Sequence, residues 1–212
     1  MSKKSAKSKN LGRILRLTQL SVLVALLLIF AFTPLGYLKV GFVEVTLNVI
    51  PVAIAATVLG PSAGAICGLV FGLTSFWQCF AAPTFFSNLC INASPVFTCI
   101  MCIVPRVLEG WLTGLIFKAI SKKTTKNSLP CAISSLCCPI LNTVLFIGTF
   151  LLLFIKTNAY TELYGVLGST NIVSFLVSFI GFNGVVEAII CLIVASAVSK
   201  ALLTANKKLL KI

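Results

Sequence analysis

Residues 45–105, VTLNVIPVAIAATVLGPSAGAICGLVFGLTSFWQCFAAPTFFSNLCINASPVFTCIMCIVP, run for 61 positions without a charged side chain. A helical membrane span takes about 20 apolar residues. The run is too long for two spans and too short for three with loops. Gly60-Pro61-Ser62 makes a natural tight turn. It predicts a short second span over about Val45–Leu59 and a third over about Ala63–Phe80. Ala81–Ser94, broken by Pro83, Asn88 and Asn92, reads as an outer loop that folds back into the protein. A fourth span follows over about Pro95–Lys118.

Working outward, a first span is expected over about residues 14–33, ended by Pro34 and Gly36, a fifth over 129–155 and a sixth over 171–199. A basic start before an apolar core also describes a secretory signal. This core is long for one, no A-x-A site follows, and further spans come after, so a mature helix is expected. Composition agrees: 58% of the 212 residues are hydrophobic, and only 10% are charged against roughly 25% in soluble domains. The fold class predicted is all-α, six transmembrane helices.

Charge placement orients them. Lys3, Lys4, Lys7, Lys9, Arg13 and Arg16 gather at the start, Lys118, Lys122, Lys123 and Lys126 mid-chain, and Lys200, Lys207, Lys208 and Lys211 at the end. Six spans put all three clusters in the cytoplasm and leave only Lys39 and Lys156 in outer loops, as the positive-inside rule requires. Five or seven would break that partition. The reading is a basic N-tail (1–13), a membrane domain (14–199) and a basic C-tail (200–212), in the cell membrane with both termini cytoplasmic. The net charge of +13 then points to anionic lipid headgroups, not nucleic acid.

Several chemistries are excluded. With no His and no Asp, there can be no Ser-His-Asp triad, His/Asp metal site or aspartyl phosphate. No G-x-x-x-x-G-K-[ST] loop occurs, so the chain cannot by itself be an ATP-driven pump. Cys99 and Cys102 form a C-x-x-C and Cys137 adjoins Cys138, but both sets lie in apolar stretches with no second pair at zinc spacing. They read as packing residues. No metal, cofactor or catalytic residue is expected.

Gly60, Gly64, Gly68 and Gly72 recur every four residues and make one smooth face, repeated by Gly110 and Gly114. Such stripes bring helix backbones together in lipid. Ser21 and Ala25 are likewise small and four apart, for internal packing or for another subunit's helix.

Ionisable groups inside spans are costly and functional by default. Arg106 and Glu109 lie near the middle of span four, Asn142 in span five, and Asn183 and Glu187 in span six, all at similar depth. A shared polar cluster follows. Its two readings are an internal ion pair of Arg106 with Glu109 or Glu187, and the floor of a ligand pocket. Tyr37, Trp77, Gln78, Phe85 and Asn88, nearer the outside, could wall such a pocket.

The chain also resembles a known family. Thr33-Pro34-Leu35-Gly36, Thr46-Leu47-Asn48-Val49-Ile50-Pro51-Val52 and Leu59-Gly60-Pro61-Ser62-Ala63-Gly64 look like the S components of energy-coupling factor (ECF) vitamin transporters. So do Phe71-Gly72-Leu73-Thr74-Ser75-Phe76, Val104-Pro105-Arg106 with Gly110-Trp111, Asn142-Thr143 and Asn183-Gly184-Val185-Val186-Glu187. The folate and pantothenate binders are the most similar branch. The resemblance implies a six-helix capture subunit that docks on a transmembrane coupling protein carrying two ATPases. It also implies a pocket that opens outward, with Asn48 among its substrate contacts. Family members dock through A-x-x-x-A in the first helix, matched here by Ser21 and Ala25. Arg106 and Lys39 favour an anionic ligand, so pantothenate leads and folate follows.

Two other classes stand beside this one. A channel or scaffold would show a polar stripe along several spans, whereas the polar groups here gather at one depth. An ion- or proton-coupled carrier would use Glu109 or Glu187 and often shows internal repeats; none relates residues 1–105 to 106–212.

Overall fold

The computed structural model describes residues 3–33, 37–40, 43–124, 128–166 and 172–210, with side chains over 10–33, 46–124, 128–163, 165 and 184–209. The elements are α1 (Lys3–Phe32), β1 (Tyr37–Val40), β2 (Val43–Thr46), α2 (Val49–Val58), α3 (Pro61–Ala81), α4 (Phe85–Ala93), α5 (Pro95–Ser121), α6 (Ser128–Phe154), α7 (Asn158–Val166) and α8 (Ile172–Leu210). Among the described residues, five stretches are long and apolar enough to cross a membrane: Asn10–Phe32, Pro61–Ala81, Pro95–Ser121, Ser128–Phe154 and Gly184–Leu209.

The expected second span takes a different form. Its first residues belong to an antiparallel hairpin, β1 with β2, which sets Lys39 opposite Glu44 and Tyr37 opposite Thr46. Helix begins only at Val49, and the ten residues of α2 rise about 15 Å, half a bilayer core of about 30 Å. Nine of the ten are buried, so α2 is the central pillar of the bundle. An all-round apolar helix belongs in such a place. Around it, Leu23 and Leu27 of α1, Phe71 of α3, Cys138 of α6 and Cys191 and Ala195 of α8 complete the core.

The α2–α3 turn forms where the sequence placed it. Gly60 adopts φ 93°, a left-handed conformation that favours glycine, and Pro61 opens α3 at its first turn. From there α3 lies almost backbone to backbone on α5. A β-carbon on Gly64 would stand 2.3 Å from the Gly110 carbonyl oxygen, and one on Gly68 would stand 2.0 Å from that of Arg106. Gly72 abuts Ile103, and Gly114 abuts Pro61. The glycine stripe is internal packing.

The connections sort into two ends. The hairpin, α4 and α7 lie at one, called here the hairpin end; the start of α1, the Gly60 turn and the close of α8 lie at the other. The segment 81–94 does fold back, as helix α4, started by a capping box in which Thr84 and Ser87 exchange hydrogen bonds. Cys90 of α4, Met101 of α5, Phe150 and Phe154 of α6 and Ala159 and Leu163 of α7 form a second core beneath it. Helix α8 continues through 39 residues to Leu210, past the expected boundary at 199, because Lys and Leu propagate helix well.

Candidate functional site

Pro105 begins the site. Having no N–H, it leaves the Met101 carbonyl without its helical donor. Arg106 fills the place: its Nη1 donates to Met101 O at 2.9 Å. Side chains on a helix lean toward its N-terminus, so this bond holds the guanidinium toward the hairpin end. There it lies 4.4 Å from the Phe146 ring centre and 5.4 Å from that of Phe71. Cation–ring attraction keeps the charge inside the bundle. Arg106 Nε is buried and has no partner among the described residues.

Amides lie on the neighbouring elements. Asn142, one turn from Phe146 on α6, is 9% exposed, and its Oδ1 has no partner among the described residues. Asn48, where β2 hands over to α2, is fully buried, with neither amide atom bonded among the described residues. Buried polar atoms nearly always find partners, so these atoms stand out as candidates for a ligand contact. Glu187 Oε1 accepts from Thr46 N–H at 2.6 Å and ties α8 to the end of the hairpin.

Among the described residues the expected ion pair does not form. Arg106 turns to the Met101 carbonyl. Glu109, three residues on, is fully buried and accepts from the Cys138 thiol at 3.1 Å instead. Spacing on a regular helix would have let the two meet; the carbonyl freed by Pro105 draws the arginine the other way.

The remaining sequence candidates divide. Gln78 Nε2 donates to Ala31 O, fastening α3 to α1. Trp77 and Phe85 are 61% and 56% exposed, and Asn88 is exposed on α4. The side chains of Tyr37, Lys39 and Asn183 lie outside the described residues. Sequence reasoning missed the aromatic pair. Phe146 stands four residues from Asn142, and a ring one turn from a polar centre was the available signal. Ser21 and Ala25 are exposed on α1, flanked by Val22 and Ile29.

Such a bundle, with five apolar helices of membrane-crossing length among its described residues, is that of a multi-pass membrane protein. A family model described as "ECF transporter, substrate-specific component" matches residues 15–199, and the chain belongs to that family. It is also similar to a pantothenate transporter, PanT, of Leuconostoc mesenteroides subsp. mesenteroides. The two are 28% identical over 186 residues, covering 84% of this chain and 87% of the relative.

Proposed function

We propose that this chain captures pantothenate, or a closely similar anionic vitamin, for an ECF importer whose ATPases are separate subunits. Six membrane passes are counted, the β2–α2 segment serving as the second. Both termini are then cytoplasmic, as the basic clusters favour. The hairpin end consequently faces outward, and the membrane domain spans about residues 14–199 of a cell-membrane protein.

The observation that carries the reading is Arg106, held beside Phe71 and Phe146 with Nε unpartnered among the described residues, in an interior that also holds the unpaired Asn48 amide and Asn142 Oδ1. A carboxylate meets the arginine through charge-assisted bonds, while the amides suit hydroxyl and amide groups of the ligand. Tyr37, Lys39, Asn183 and Glu187 belong to the same outward half, with Trp77, Gln78 and Asn88 around its mouth. The relative's name and the family support the substrate class.

Arg106→Ala tests it in purified protein. Intact folding with lost pantothenate binding is the expected result. Unchanged pantothenate affinity would remove the arginine from the site. Sub-micromolar binding by the chain alone, without ATPases, would mark capture; uphill transport by the chain alone in liposomes would refute it.

A further inference from the structure

Deeper toward the tail end, α5 and α6 enclose a second polar group that the capture site does not use. Glu109 is fully buried, and its Oε2 has no partner among the described residues. Thr113, Ser134 and Ser135 are also fully buried; among the described residues the two serine hydroxyls have no partner, and Thr113 has none besides the Cys138 thiol. Glu109 contacts Cys138, and α5 and α6 run antiparallel. One further turn along each therefore sets Thr113 against Ser134, and Thr113 stands beside the same Cys138 thiol.

The unpaired hydroxyls are informative because helical Ser and Thr normally bond the carbonyl one turn back. In this protein Thr57, Thr74, Thr98, Thr143 and Thr149 all do so. Thr113, Ser134 and Ser135 forgo that bond, and helix register sets Thr113 and Ser134 one turn from the Glu109–Cys138 contact, with Ser135 beside Ser134 on the buried side of α6.

We infer that Glu109, Thr113, Ser134 and Ser135 bind one monovalent hard cation of the sodium class between α5 and α6. All four contribute hard oxygen ligands. One carboxylate among neutral hydroxyls gives a single negative charge, which a monovalent ion neutralises and a divalent ion would overshoot. A transition metal is disfavoured: among the described residues no group of three His, Cys, Asp or Glu is arranged for one. Arg106, the nearest cation on α5, is committed to Met101 O and its two rings. An uncompensated carboxylate in the membrane interior is otherwise expensive. The inference stands apart from the capture reading, since none of the four residues belongs to that site.

The test is thermal unfolding of the purified full chain in sodium, lithium, potassium and choline chlorides at constant ionic strength and one mildly alkaline pH. The midpoint should rise saturably with sodium and stay flat with choline. Glu109→Gln should abolish the rise, as should the double variant Ser134→Ala, Ser135→Ala. The double variant adds no volume and carries the test if Glu109→Gln does not fold. An equal rise in choline, or a sodium effect that survives in the double variant, overturns the site. So does a wild type indifferent to every alkali cation, which would mean a protonated Glu109 among bound waters.

Discussion

Arg106 and Phe146 face each other across the α5–α6 interface, guanidinium carbon to ring centre at 4.4 Å. The ring cannot hydrogen-bond the cation, so it steadies the guanidinium without occupying its donors. Phe146→Leu keeps the volume roughly and removes that attraction, worth about 0.5–2 kcal/mol. Pantothenate affinity should fall by up to about 30-fold as the guanidinium loses its support, and the unfolding midpoint should fall too, because the contact is present without ligand. Calorimetric titration reads both the affinity and its enthalpy; wild-type affinity would place the ligand elsewhere.

Replacing Arg106 by Lys separates shape from charge. Lysine keeps the positive charge but loses the planar fork that reaches Met101 O and, on the proposed reading, a ligand together. Binding should weaken by at least about tenfold if a bidentate or two-point contact is used, since each lost charged hydrogen bond is worth about 1.5–3 kcal/mol. A Lys variant that binds like wild type would show that charge alone suffices.

The α3–α5 contact predicts a contrast among glycines. Gly68→Ala drives a β-carbon to within 2.0 Å of the Arg106 carbonyl, a backbone atom that can yield only if the helices part. Overpacking of this kind costs about 1–3 kcal/mol, and more where backbone must move. Because Arg106 sits on the displaced segment, ligand binding should fall along with stability. Gly148→Ala, where nothing lies within 4 Å, should be neutral or slightly stabilising. Equal unfolding midpoints for the two variants would mean that α3 and α5 do not pack as described.

Much of this was readable from residues alone, for identifiable reasons. Gly60-Pro61 admits few backbone conformations, and i,i+4 glycines on a membrane helix have few uses besides close packing. Those two readings positioned α3 and α5, and with them Arg106. The hairpin escaped because its alternation over residues 37–46 is only four residues per strand and runs straight into an apolar helix. The missing ion pair had a different cause. Spacing places Arg106 and Glu109 on one face, but the carbonyl that Pro105 liberates is a local competitor that no periodicity count registers. Phe146 could be suspected from its place one turn from Asn142, but its contact with Arg106, on a separate helix, came from the fold.

At the tail end, Gln19 and Asn206 exchange two amide hydrogen bonds, of 2.8 and 3.2 Å, between α1 and α8. Arg16 adds a bond to Leu59 O at 2.6 Å, where α2 ends. A double-mutant cycle of Gln19→Ala and Asn206→Ala should return a coupling of about 0.5–1.5 kcal/mol in unfolding, near the net worth of a hydrogen bond. Strict additivity would mean that the two amides are solvated separately.

Ser21 and Ala25 test the division of labour between this chain and its partners. Both are exposed on α1, and neither touches the capture site, so enlarging them should leave the bundle and its ligand alone. A partner helix needs small residues there to approach closely, since in lipid the attraction between helices comes largely from backbone-to-backbone packing. Ser21→Leu with Ala25→Leu should therefore keep wild-type pantothenate affinity and unfolding midpoint in the isolated chain. Co-purification with the coupling subunit and ATPases should be lost, and with it ATP-dependent uptake in proteoliposomes. Ser21→Ala, which restores the A-x-x-x-A pattern and shrinks the side chain, should assemble at least as well as wild type. Uptake that survives both leucines would move the docking surface off this face of α1, while lost ligand binding in the isolated double variant would mean that the face belongs to the bundle itself.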